Sequence, residues 1–166
     1  MRAKRLVLSL GAVALLALAQ NIELPPMKEG LWAIHHITIQ SPSGKKMESI
    51  DRLCRNHEYD AFIRAEAKKA PGCKILHESL KGAVYTSETE CTALGTVIHA
   101  KSTVTTGDNA VRSESHAVNT PPLNGVTENT IIMEQKYVGA CPADLRPGDL
   151  VRADGIKINA WKAGKK

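Results

Sequence analysis

From residue 31 onward apolar side chains fall on every second position through most of the chain, the period of strands with one buried face. Seven runs carry this alternation: 31–40, 46–53, 74–80, 84–91, 95–105, 110–118 and 130–138. Ser41-Pro42-Ser43-Gly44, Lys81-Gly82 and Gly107-Asp108 supply turns between them. The pattern predicts a mainly all-β domain, a single antiparallel sheet curled on itself or a half-barrel, of about seven strands.

One segment changes period. After Asn56, a good helix N-cap, Tyr59, Phe62 and Ile63 share one helical face, and Pro71-Gly72 ends the run, so one short helix should lie against the sheet. Residues 119–128 contain Pro121 and Pro122, which lack a ladder donor; they are expected to form an irregular stretch, a long passive turn in preference to a mobile rim or lid.

Two hairpins have a readable register. A two-residue turn at Gly107-Asp108 sets Lys101 opposite Glu114, Thr103 opposite Arg112 and His99 opposite His116. The other face then pairs Val104 with Val111, Ala100 with Ser115 and Ile98 with Ala117, so a small, apolar face looks inward. A three-residue loop at Lys81-Gly82-Ala83 sets Lys74 opposite Glu90 and Cys73 opposite Cys91.

The first residues stand apart from this pattern. Arg2, Lys4 and Arg5 precede an apolar run at 6–18, and Ala17-Leu18-Ala19 offers a small-x-small cleavage site, so 1–19 reads as a signal peptide. The run is shorter than the roughly 20 apolar residues a membrane-crossing helix needs. Periplasmic or secreted localisation follows as an expectation, with a domain at 20–150, a basic tail at 151–166 and no transmembrane segment after cleavage. Losing the leader's three cations takes the formal charge from +5 to +2, which removes the case for a nucleic-acid partner.

In an oxidising compartment Cys54, Cys73, Cys91 and Cys141 should form two disulfides. Three pairings are possible. If the helix lets the third strand run parallel to the second, Cys73 and Cys91 reach one end of the sheet and Cys54 and Cys141 the other. That favours Cys73–Cys91 with Cys54–Cys141 over Cys54–Cys73 with Cys91–Cys141.

The chain offers little catalytic chemistry. It has no Gly-x-Ser-x-Gly, Cys-x-x-Cys, His-Glu-x-x-His, phosphate-binding Gly loop or calcium loop. No cofactor or metal is expected, since His99 and His116, though facing each other, share their face with Lys101, Arg112 and Glu114 and lack a third ligand. Glu78, Glu88 and Glu90 could serve as a carboxylate pair, but on alternating strands they read as a solvated face. An enzyme is not expected.

The binding candidates are apolar: Trp32 and Ile34 on one face of the first strand, Ile131, Met133 and Tyr137 on one face of the last. On a curled sheet they would line the concave side, which favours a non-enzymatic binding or accessory protein for a small apolar or amphipathic ligand. The alternative is an envelope interaction module that docks its rim or basic tail on a protein partner or an anionic surface; a hydrolase ranks third.

Pro26-Met27-Lys28-Glu29-Gly30-Leu31-Trp32, the order Cys54, helix, Cys73, Cys91, and the closing Tyr137-Val138-Gly139-Ala140-Cys141 together resemble a bacterial domain-of-unknown-function family, numbered 3617. Its usual opening is Met-Lys-Pro-Gly-Leu-Trp-Glu. Here Glu29 replaces the proline and Ala33 the glutamate, and the chain beyond Leu150 is additional. The resemblance spans roughly 25–142. It implies an exported β-rich domain with no established activity and no catalytic residues to carry over.

Overall fold

A computed structural model describes residues 22, 24–159 and 161, so the expected leader at 1–19 lies outside the described residues. The chain forms β1 (Gly30–Ser41), β2 (Lys45–Arg55), α1 (His57–Lys68), β3 (Cys73–Lys81), β4 (Val84–Ala93), β5 (Thr96–Thr106), β6 (Ala110–Leu123), β7 (Val126–Gly139), β8 (Asp149–Val151) and β9 (Lys157–Asn159). All seven expected strands are present, and β8 and β9 raise the number to nine. They make one open antiparallel sheet in the order β3-β4-β5-β6-β7-β1-β2-β8-β9.

Helix α1 starts where Asn56 accepts a hydrogen bond from the Tyr59 N–H at 2.8 Å, and Glu58 and Asp60 complement its N-terminal dipole. It stops at Lys68, three residues before Pro71. Tyr59 packs with Ile34 and Leu53, which fixes the sheet face that α1 crosses.

The path of α1 requires a sheet that is not flat. Strands β2 and β3 lie six positions apart, and Arg55 ends one at the opposite end from where Cys73 begins the other. Laid flat, strand spacings of about 4.8 Å and about six two-residue steps of ~6.7 Å would separate these residues by roughly 50 Å. The 12-residue helix and its short extended flanks reach only about 40 Å. A twisted and curled sheet brings the two ends within that reach, with α1 on its inner, concave side.

Exposure agrees. Along β5 and β6 the concave-side residues are half-buried or buried, and the opposite positions from His99 to Thr105 and from Arg112 to Val118 are exposed. The closed core is small. Leu31, Trp32, Ile34, Leu53, Cys54 and Tyr59 sit on β1, β2 or α1, joined by Val111 of β6.

Two disulfides join Cys54 to Cys141 and Cys73 to Cys91. The strand directions explain the pairing: β2 and β3 run the same way at distant positions, so their cysteines fall at opposite ends. No cysteine is free.

Three local expectations are corrected. The β5–β6 turn has its two-residue tip at Asp108-Asn109, one residue later than expected, because Gly107 N–H donates to the Ala110 carbonyl at 2.8 Å and Thr106 pairs with Val111. Lys101 thus faces His116, His99 faces Val118, Thr103 faces Glu114 and Ala100 faces Ala117. A shift of two residues keeps every side chain on its expected face. In the β3–β4 hairpin, Cys73 does face Cys91 and Lys74 does face Glu90, but through a two-residue turn at Gly82-Ala83 plus a register shift between Ile75 and His77. Residues 119–128 are ladder rather than loop. The β6 strand runs to Leu123, and Asn124-Gly125, both with positive φ, form a tight hairpin turn, while a register shift between Val118 and Leu123 accommodates the prolines.

The stretch expected as a basic tail from 151 carries β9, and Trp161 stacks on Phe62 at 6.4 Å between ring centroids. Two of its cations are paired, Arg152 with Asp154 and Lys157 with Asp144. Among the described residues, no helix is long and apolar enough to cross a membrane.

Candidate functional site: the uncovered concave face

Beyond the core, the register stacks the concave-side residues of β4, β5, β6, β7 and β1 in straight rows. One row runs Tyr85, Val104, Ser113, Met133, His36; the next Ser87, Ser102, Ser115, Ile131, Thr38; the third Thr89, Ala100, Ala117, Asn129, Gln40. The middle of each row is small. Alanine and serine on β5 and β6 make a low strip, a trough of small side chains, between the larger Tyr85 and Val104 on one side and Met133 and Ile131 on the other.

These rows hold no Asp, Glu, Lys or Arg. The convex face differs sharply. There Glu88 meets Lys101, Glu90 meets Lys74 and His99, Arg112 meets Glu114 and Glu134, His116 meets Glu128, and His35 meets Glu48. Such a ladder suits water; the concave rows suit a neutral, partly apolar surface.

The polar groups at the middle of the trough are hydroxyls, with His36, Asn129 and Gln40 on its β7 and β1 side. Ser102 Oγ donates to Ser115 Oγ at 2.9 Å. At the β3 edge of the sheet Tyr85 donates to Glu78 at 3.0 Å, and burial, then this carboxylate, raise the phenol's pKa, so Tyr85 stays a neutral donor.

The five residues singled out from sequence all share this face, but at different depths. Trp32 is fully buried, edge-on to Tyr137 with ring centroids 5.7 Å apart, and its Nε1 donates to the Lys28 carbonyl at 2.8 Å. It presents no surface to a ligand. Lys28 lies over the Tyr137 ring at 4.2 Å and Arg55 over the Trp32 ring at 5.8 Å, so these aromatics close one end of the curled sheet. Ile34 belongs to the core. Met133, packed against that core, and Ile131, 39% exposed, reach the open rows.

Arg55 also ties the closed end together. It donates to Asp60, buried at 3% exposure, at 2.8 Å through Nε, and to Gln135 Oε1 at 3.0 Å, joining β2, α1 and β7. Burial raises the pKa of the neighbouring Tyr59 phenol.

Sequence reasoning passed over Ala100, Ser102, Ser115 and Ala117 as binding residues. Their signal was an inward strand face with nothing large on it, which an ordinary packed core does not leave empty.

Glu78, Glu88 and Glu90 do not converge: Glu78 pairs with Tyr85 on the concave side, and the other two make separate ion pairs on the convex side. Among the described residues no group of three or more His, Cys, Asp or Glu could hold a metal ion.

Neither a curated protein nor a solved structure matches the chain. Residues 27–141, which run from the segment under Trp32 to the second cysteine of the Cys54–Cys141 bridge, match the family model described as "Protein of unknown function (DUF3617)", and the chain belongs to that family.

Proposed function

We propose that this protein is an exported, non-enzymatic binding or accessory protein whose concave face takes up a small uncharged apolar or amphipathic molecule. The single observation that carries this reading is the trough: half-buried, uncharged rows centred on Ala100, Ser102, Ser115 and Ala117, with the core confined to one end. A sheet face of this kind needs a covering layer, and small side chains leave room for one. The lack of cations in the rows favours a neutral molecule over an anionic one. Two disulfides suit an oxidising, extracytoplasmic setting, in line with the leader at 1–19.

Native mass spectrometry of protein purified from its own host tests the proposal. A bound small molecule, displaced by a hydrophobic dye, is the expected result. A bare polypeptide mass together with no dye uptake overturns it.

A further inference from the structure

The two disulfides sit in opposite settings. Cys54 is wholly buried, and its carbonyl accepts from the Gly148 N–H at 2.8 Å. Cys73 is exposed and begins β3, an edge strand that pairs, among the described residues, with β4 alone. Every residue from Ile63 to His77 is exposed, covering the last turns of α1, the linker and the first half of β3. A run with so little buried surface has little packing to hold it. Its ties are the Thr92 N–H to Gly72 carbonyl bond at 2.8 Å, the Lys74–Glu90 ion pair, the first rungs of the β3–β4 ladder, and the Cys73–Cys91 bond.

We propose that Cys73–Cys91 is a thiol-exchange site, opened by a dithiol reductant, and that it works as a latch fixing the end of α1 and the start of β3 across the curled sheet. A dithiol thiolate attacks Sγ of Cys73, an exposed residue; the disulfide bond breaks and Cys91 departs as a thiolate. The reductant's second thiolate then displaces Cys73, so the dithiol ends as a disulfide and the protein gains two electrons and two protons as two thiols. The register shift between Ile75 and His77 bounds the consequence. Residues 63–76 loosen, while His77–Lys81, continuous with the Gly82-Ala83 turn, stays paired. The inference holds whatever the trough binds.

Graded dithiothreitol treatment of the native, oxidised protein, trapping with iodoacetamide and peptide mapping provide the test. Cys73 and Cys91 should be alkylated at least about tenfold faster than Cys54 and Cys141. Equal rates, or earlier opening of Cys54–Cys141, overturn the assignment. Hydrogen exchange on the selectively reduced protein, and on the Cys73→Ser/Cys91→Ser double variant, should speed up over 63–76 and stay unchanged over 77–81. No change over 63–76, or loosening that spreads through the sheet, overturns the latch.

Discussion

Gly30 lies directly under Tyr137. A Cβ at position 30 would stand 2.8 Å from Cε2 of that ring and collide with the Gly139 carbonyl, and the residue's φ of +135° is one that L side chains rarely adopt. The opening Gly30-Leu31-Trp32 and the closing Tyr137-Val138-Gly139 are therefore two halves of one packing contact. Trp32, one rung along, meets the same tyrosine edge-on.

Gly30→Ala accordingly meets both backbone strain and a clash with main chain that cannot move aside. We expect a loss of at least about 2 kcal/mol, read as a lower urea midpoint with an unchanged m-value. A midpoint equal to the wild-type value would mean that the strand end can shift away from Tyr137.

At the other end of the sheet, Leu94 and Gly95 make the β4–β5 turn with φ of 52° and 78°, close to the 50° and 81° of Asn124 and Gly125 in the β6–β7 turn. Asparagine tolerates this left-handed conformation; leucine does not. Leu94 is 89% exposed, so no packing offsets its strain. Leu94→Asn should stabilise the protein by about 1 kcal/mol, measured by thermal or urea unfolding. A destabilised variant would show that the leucine makes a contact elsewhere.

The hydrogen bond from Lys74, at 2.6 Å, holds the Glu90 carboxyl below its ordinary value of 4.5, with His99 adding to the effect. A depressed carboxyl pKa means that the folded state favours the anion. The pair therefore stabilises the fold above pH 4.5 and loses that contribution as pH falls through the lower, folded value. Lys74→Ala should move the Glu90 titration, followed by NMR of its carboxyl carbon, upward toward 4.5. It should also flatten the acid limb of the stability curve. A titration unmoved by the substitution would assign the shift to another group.

The bridges differ in span as well as exposure. Cys54–Cys141 joins residues 87 apart and Cys73–Cys91 residues 18 apart. Loop-closure entropy gives about 4.5 kcal/mol for the first and about 3 kcal/mol for the second. Replacing Cys54 and Cys141 by alanine should cost more than replacing Cys73 and Cys91, in unfolding measurements on the two double variants. The reverse order would place the larger effect in the native state.

Much of this architecture is legible in the residues, for identifiable reasons. Alternation over 31–40 and 130–138 places Trp32, Ile34, Ile131, Met133 and Tyr137 on one face because a strand allows no other arrangement. Asn56 announces its helix because it does cap it. The misses arise where one short-range signal outweighs another. Asn124-Gly125 is a strong hairpin signal, but Pro121 and Pro122 masked it until the register shift between Val118 and Leu123 accounted for them. The Lys74–Glu90 and Cys73–Cys91 pairs emerged from a loop length one residue too long, offset by the irregularity at Leu76. Depth was beyond reach, because periodicity gives a face and not its distance from solvent. Trp32 and Ile131 share a face, yet one is at 0% and the other at 39% exposure.

That difference in depth locates the decisive substitution in the open rows and away from the aromatics. Ala117 is half-buried between Ala100 and Asn129, so a phenyl ring at this position projects into the trough. Strand position suits an aromatic side chain, and the fold should keep its stability. Ala117→Phe should weaken uptake of a hydrophobic dye by at least about tenfold, equivalent to ~1.4 kcal/mol of binding free energy. Thr103→Phe, on the exposed convex face of β5, supplies the matched control, which should bind as the wild type does. Full uptake by the Ala117→Phe variant would move the binding surface off the concave face; equal loss in both variants would trace the dye signal to general loosening of the sheet.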